Sequence, residues 1–152
     1  MIRAIAASLL GLFLVIGRAE ALENLDDFPR TTLQIRTHAG AQRFNIWVAD
    51  TPARDEQGLM FVRSLPLDQG MLFPMGTPQV VRMWMHNTLI PLDMLFIAAG
   101  GRIVYIKAMA TPLSDALIST DQPVAAVLEL FGGEAARRHI EVGDQVRYRW
   151  PQ

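Results

Sequence analysis

Strand-length runs that alternate apolar and polar residues, each cut short by glycine or proline, limit this chain more than any other feature of its sequence. Thr31 to His38 puts Leu33 and Ile35 on one side and Gln34 and Arg36 on the other, the spacing of a half-buried strand. Phe44, Ile46 and Val48 repeat the pattern after Ala39-Gly40, so the two runs predict a hairpin. Further strands are expected over Gly70–Phe73, Gln79–Met85, Asp93–Ala98, Arg102–Ala108, Val124–Leu130 and Gln145–Trp150, with Ala99-Gly100-Gly101 as a second hairpin turn. Thr51-Pro52 has the form of a helix start, threonine as N-cap and proline at the first helical position, and that helix should stop near Gly58. Gly132-Gly133 opens a second short helix, Glu134 to His139. Seven or eight short, mostly antiparallel strands with two short helices do not alternate as βαβ units do. The expected fold is α+β: one compact strand-rich domain whose sheet curls into a barrel or closed clam.

The first 21 residues stand apart from this pattern. Arg3 precedes an uncharged run of 13 residues, Ala4 to Ile16, and Ala19-Glu20-Ala21 offers small residues where a signal peptidase reads them. The run is well short of the ~20 residues that span a bilayer. Residues 1–21 are therefore expected to be a cleavable signal peptide, cut after Ala21, and residues 22–152 a periplasmic or secreted domain without stable membrane insertion. The chain has no cysteine. Neither a lipid attachment site nor a disulfide is open to it, and the core alone must hold the fold.

Without its leader the chain carries 12 Lys+Arg and 14 Asp+Glu, a balance near −2. That argues against a nucleic-acid partner, which needs a clustered basic surface. The nearest approach, Arg137-Arg138 with Arg147 and Arg149, is interrupted by Glu134, Glu141 and Asp144. No phosphate-binding glycine loop or cofactor motif occurs, and His38, His86 and His139 lack metal-ligand spacing, so neither a cofactor nor a metal is expected. Met71, Met75, Met83, Met85 and Met94 suit adaptable core packing better than copper.

Three stretches carry a family likeness: Gly58-Leu-Met-Phe-Val-Arg-Ser-Leu65 with Gly70-Met-Leu-Phe73, then Met83-Trp-Met-His-Asn-Thr-Leu-Ile-Pro-Leu-Asp93, then Val127-Leu-Glu-Leu130 with Gly132-Gly133 and Val142-Gly143-Asp144. In this order they resemble the DUF192 (UPF0127) family of small, often exported proteins, over about Thr31 to Arg147. The resemblance implies a strand-rich α+β barrel and brings no established activity, substrate or cofactor. One position departs from the family pattern: His86 stands where the family usually has lysine, so no mechanism that needs a permanent cation there carries over.

The segment from Trp84 to Asp93 sets polar groups in an apolar context. In a structural reading Asn87 and Thr88 hydrogen-bond a tight connection and Asp93 holds backbone donors. In a functional reading Trp84, His86, Asn87 and Asp93 border a cleft, with Arg63, Ser114 and Glu129 as further members. Ser114, His86 and Asp93 are the residue types of an acyl-transfer triad, but no nucleophile motif surrounds Ser114. Glu129 and Asp93 are a conceivable carboxyl pair, and an inward Glu129 would need a partner such as Arg82 or His86. The sequence favours a non-catalytic binding or accessory module for a small molecule or a protein segment. The alternatives are a small hydrolase using Asp93 and His86 as acid and base, and a barrel whose edge accepts a partner strand.

Overall fold

Backbone pairing turns the alternating runs into strands in the computed structural model, which describes residues 22–149. The expected leader and Trp150 lie outside the described residues. The strands are β1 (Arg30–Thr37), β2 (Gly40–Val48), β3 (Gln69–Gln79), β4 (Arg82–Met83), β5 (Leu92–Ile97), β6 (Ile103–Ala110), β7 (Ile118–Ser119), β8 (Val124–Phe131) and β9 (Gln145–Arg147). Two short helices, α1 (Pro52–Gln57) and α2 (Glu134–Arg137), interrupt them. Seven strands form one sheet in the order β6-β5-β8-β3-β2-β1-β9, while β4 and β7 pair separately. Both predicted hairpins are present, as β1–β2 and β5–β6.

The topology differs from the expectation at one point. β2 and β3 run parallel, through a connection that contains α1. Parallel neighbours need such a crossover, so one βαβ unit sits inside an otherwise antiparallel sheet.

Because strand side chains alternate faces, the sheet carries two cores. Leu33, Ile35, Phe44, Ile46, Leu72, Leu95 and Leu128 fill one, enclosed by the curl of the sheet. Met71, Phe73, Met94, Phe96 and Val127 line the other face, covered by Leu59, Leu65, Met85 and Ile90 from the connecting segments. All six residues of β5 are buried for this reason.

The sheet curls until its edges touch, but they do not join along their length. β9 pairs with β1 on one side and meets the start of β6 through a single bridge, Arg102 to Gln145. The Ile103 N–H donates to Asp144 O at 2.9 Å and the Val146 N–H to Gly101 O at 2.7 Å. The result is a curled seven-stranded sheet, not a continuous closed barrel.

Gly101 makes that junction possible. Its φ is +91°, and an added Cβ would fall on the Val146 carbonyl oxygen. Gly100, at φ +87°, has open space around it. Gly101→Ala should therefore cost about 2–3 kcal/mol and Gly100→Ala clearly less, as read from urea unfolding midpoints of the two variants.

Candidate functional site

Glu129 lies in the middle of β8, opposite Met71 of β3 and Met94 of β5. It shares their face, where the sheet is covered by α1 and the turn after it. Thr51 caps α1 by accepting the Arg54 N–H, and Arg54 pairs with Asp50 at 2.7 Å and Glu23 at 2.9 Å. Gln57 exchanges hydrogen bonds with the Glu23 backbone, so α1 is tied to the N-terminal segment. Gly58, at φ +48°, ends the helix against the Phe73 ring, where a Cβ would be crowded. Between α1, β3 and β4 this leaves a cleft of about 350 Å³.

Asp55 and Glu56 of α1, Phe73 and Met75 of β3, Arg82 of β4, and Trp84, His86 and Thr88 beyond it line the cleft, with Glu129 at its base. Glu129 is only 4 % exposed. Its carboxyl enters none of the side-chain hydrogen bonds or ion pairs among the described residues, and it opens onto the cleft. Burial, with the negative charge of Asp55 as a smaller contribution, raises its pKa to about 8. Desolvation also raises Asp55, which stands at the exposed mouth with its carboxyl partly screened by protein.

The wall opposite α1 is prearranged. Trp84 is 46 % exposed and stacks on His86 with ring centroids 4.8 Å apart. His86 Nδ1 lies 2.7 Å from Asp115 Oδ1, which fixes the imidazole. The Met85 N–H donates to Ser114 O, holding the two segments side by side, while the Met85 side chain is fully buried. Asn87 follows in a left-handed conformation, φ 54°, which asparagine tolerates better than most residues. Its carbonyl accepts the Phe61 N–H, and the Thr88 hydroxyl donates to His86 O.

The seven residues singled out in the sequence do not form one cluster. Trp84, His86 and Glu129 line the cleft; Asn87, Asp93, Arg63 and Ser114 are not among its lining residues. Asp93 is fully buried and its oxygens accept the N–H groups of Met109 (2.8 Å), Gly133 (3.0 Å) and Ala135 (2.8 Å). Asp93 pairs in register with Leu130, next to the Met94–Glu129 pair, so the two carboxyls point to opposite faces of the sheet. Asp93 and Glu129 therefore face away from each other, and no hydrogen bond joins Asp93 to His86, whose partner is Asp115. Ser114 uses its hydroxyl to accept the Ala116 N–H, as in a local turn. Arg63 is exposed. Neither Arg82 nor His86 bonds to Glu129, the partners its burial called for. The other carboxylates of the cleft lining are Asp55 and Glu56 of α1, and Asp115 stands behind the wall on His86; no local motif marks any of them.

Among the described residues no group of three His, Cys, Asp or Glu is placed to hold a metal ion, and no helix is long and apolar enough to cross a membrane.

A family model matches residues 33–148: DUF192, described as an uncharacterized ACR. No curated protein matches the chain. Among solved structures, a provisionally named transcription regulator from Sinorhizobium meliloti 1021 is 40% identical, with a TM-score of 0.77 over 79% of this chain and 94% of that one. A protein of unknown function from Novosphingobium aromaticivorans DSM 12444 is 34% identical, with a TM-score of 0.80 over 84% of this chain and 91% of that one.

The two buried carboxyls lead to different expectations. Asp93→Asn turns an acceptor into a donor facing backbone N–H groups and should cost about 3 kcal/mol, measured by urea unfolding at neutral pH. Glu129 holds its proton to about pH 8 in the folded chain and loses it near 4.5 when unfolded. Its contribution is complete below pH 4.5 and lost as pH rises through about 8, a decline of at most ~5 kcal/mol. Glu134, held low by Arg137, acts in the opposite sense but only in acid. Unfolding midpoints between pH 5 and 8.5 should therefore fall in the wild type and stay nearly level in Glu129→Gln.

Proposed function

The chain belongs to the DUF192 family, and we propose that it acts as an exported module that binds a small molecule in the cleft over Glu129. The observation that carries this reading is the carboxyl at the base of the cleft, on a residue only 4 % exposed, with no ion pair among the described residues and open to the cleft alone. A buried polar group left unmatched costs roughly 1–3 kcal/mol. A ligand that supplies the missing partner recovers that cost, and the half-exposed Trp84 face adds an apolar wall for it.

Export rests on the leader pattern of residues 1–21. The curled sheet, whose edges meet at Arg102 and Gln145, is read as a barrel-like scaffold that presents the cleft on its outer face. A DNA-binding role of the kind named for the Sinorhizobium relative finds less support. The α-helices among the described residues have six and four residues, too short to lie along a major groove as a recognition helix does.

Native mass spectrometry of the protein purified from its own periplasm tests the proposal. The wild type should carry a small-molecule adduct on a chain that begins at Leu22, and Trp84→Ala and Glu129→Leu should each lose the adduct while remaining folded. An unadorned wild-type mass, or an adduct that both variants retain, would overturn the binding reading. A chain beginning at Met1 would overturn the export reading alone.

A further inference from the structure

Two acidic groups, Glu129 and Asp55, face one cleft without a cation between them. No ion pair involves either carboxylate among the described residues, where the five close charge pairs engage Glu23, Asp50, Asp115 and Glu134. Arg82 and His86 line the same cleft. His86 is committed to Asp115, and Arg82 is exposed at the rim on β4. Glu56 adds a third carboxylate from α1. A buried carboxyl is ordinarily matched by a hydrogen bond or an opposite charge. Glu129 has neither within the described residues and keeps its proton to about pH 8, so a cation that reached it would let it ionise. No three ligating side chains converge among the described residues, so that cation must bring its own hydrogen-bond donors. Beside the carboxyl, the Trp84 ring offers a surface that attracts cations and covers methylene groups.

We infer that the cleft takes a primary organic ammonium group, its N–H donors on Glu129 with Asp55 close by and its carbon chain against Trp84. This rests on the binding role proposed above and gives it a ligand class. A cleft of about 350 Å³ has room for an alkylammonium or the amino end of a larger molecule. Binding requires Glu129 to give up its proton to solvent, so ligand affinity and pH are coupled. Glu129 loses its proton at about pH 8 in the free protein. Affinity should thus rise about tenfold per pH unit below 8 and level off above it. A primary ammonium stays charged across that range, as lysine does.

The test is a titration of the ¹⁵N-labelled protein with n-butylammonium chloride, and separately with the neutral isostere 1-butanol, followed by NMR at about pH 6, 7, 8 and 9. Saturable shifts are expected at the amides of Glu56 to Leu59 and at the Trp84 indole N–H. Butanol should bind at least about tenfold more weakly, and Glu129→Gln should reduce butylammonium affinity to the level of butanol. The pH series uses the wild type alone, so it stands even where that variant misfolds. Equal binding of the two probes, or butylammonium affinity that is flat or falls with pH, would overturn the ammonium assignment. If butanol still shifts the same amides, the cleft remains a binding site for a neutral ligand. If neither probe shifts them and the purified protein carries no adduct, the ammonium assignment and the binding role fall together.

Discussion

Three backbone N–H groups, from Met109, Gly133 and Ala135, converge on the carboxylate of Asp93 inside the core. This is how β5 is joined to the end of β6 and to α2. The residue at the start of α2, Gly133, has no side chain to cap the helix, and Asp93 supplies the acceptor from a distant strand. Everything α2 does next depends on that position. Ala135 and Ile140 enter the core enclosed by the sheet. Glu134, buried beside the helix start, holds Arg137 and Arg138. Arg138 then reaches across to the carbonyls of Arg43 and Leu67 and lies over the Phe44 ring at 4.3 Å. One buried carboxylate thus tethers a four-residue helix that clasps strands from both halves of the chain.

Asp93 and Glu129 are neighbours across the β5–β8 ladder and have opposite fates. One faces α2 and is filled with donors; the other faces the cleft beside α1 and has no ion pair among the described residues. The first arrangement stabilises the fold, because each N–H it accepts would otherwise be buried unmatched. The second costs stability and leaves chemistry available to a ligand. A sheet buried on both faces can keep these tasks apart with a displacement of one residue in register.

The segments that frame the cleft carry backbone strain of a consistent kind. Phe61, Asn87 and Leu113 all have φ between 54° and 61° without being glycine, a conformation that side chains disfavour. They are knitted together: the Phe61 N–H donates to Asn87 O, and the Leu113 N–H to Thr88 O. Local preference would not produce these turns. They persist because the surrounding hydrogen bonds and the buried Met85 and Ile90 hold them.

Local rules made much of the fold legible. Alternation marked most of the strands, and Thr51-Pro52 and Gly58 bracketed α1, because period and capping are properties of adjacent residues. The two-residue strand β7 and the parallel β2–β3 pair were not legible, since both depend on what lies beside them in space. The same division runs through the cleft. Trp84, His86 and Glu129 stood out as unusual residues in their runs, but no spacing marks Asp55 or Asp115 as their neighbours. The sequence by itself determined the class of fold, the apolar faces of its strands and the family to which it belongs. Only the tertiary structure decided which buried carboxyl is saturated and which is left open, because that depends on whether backbone donors or an empty cleft lies across from the side chain.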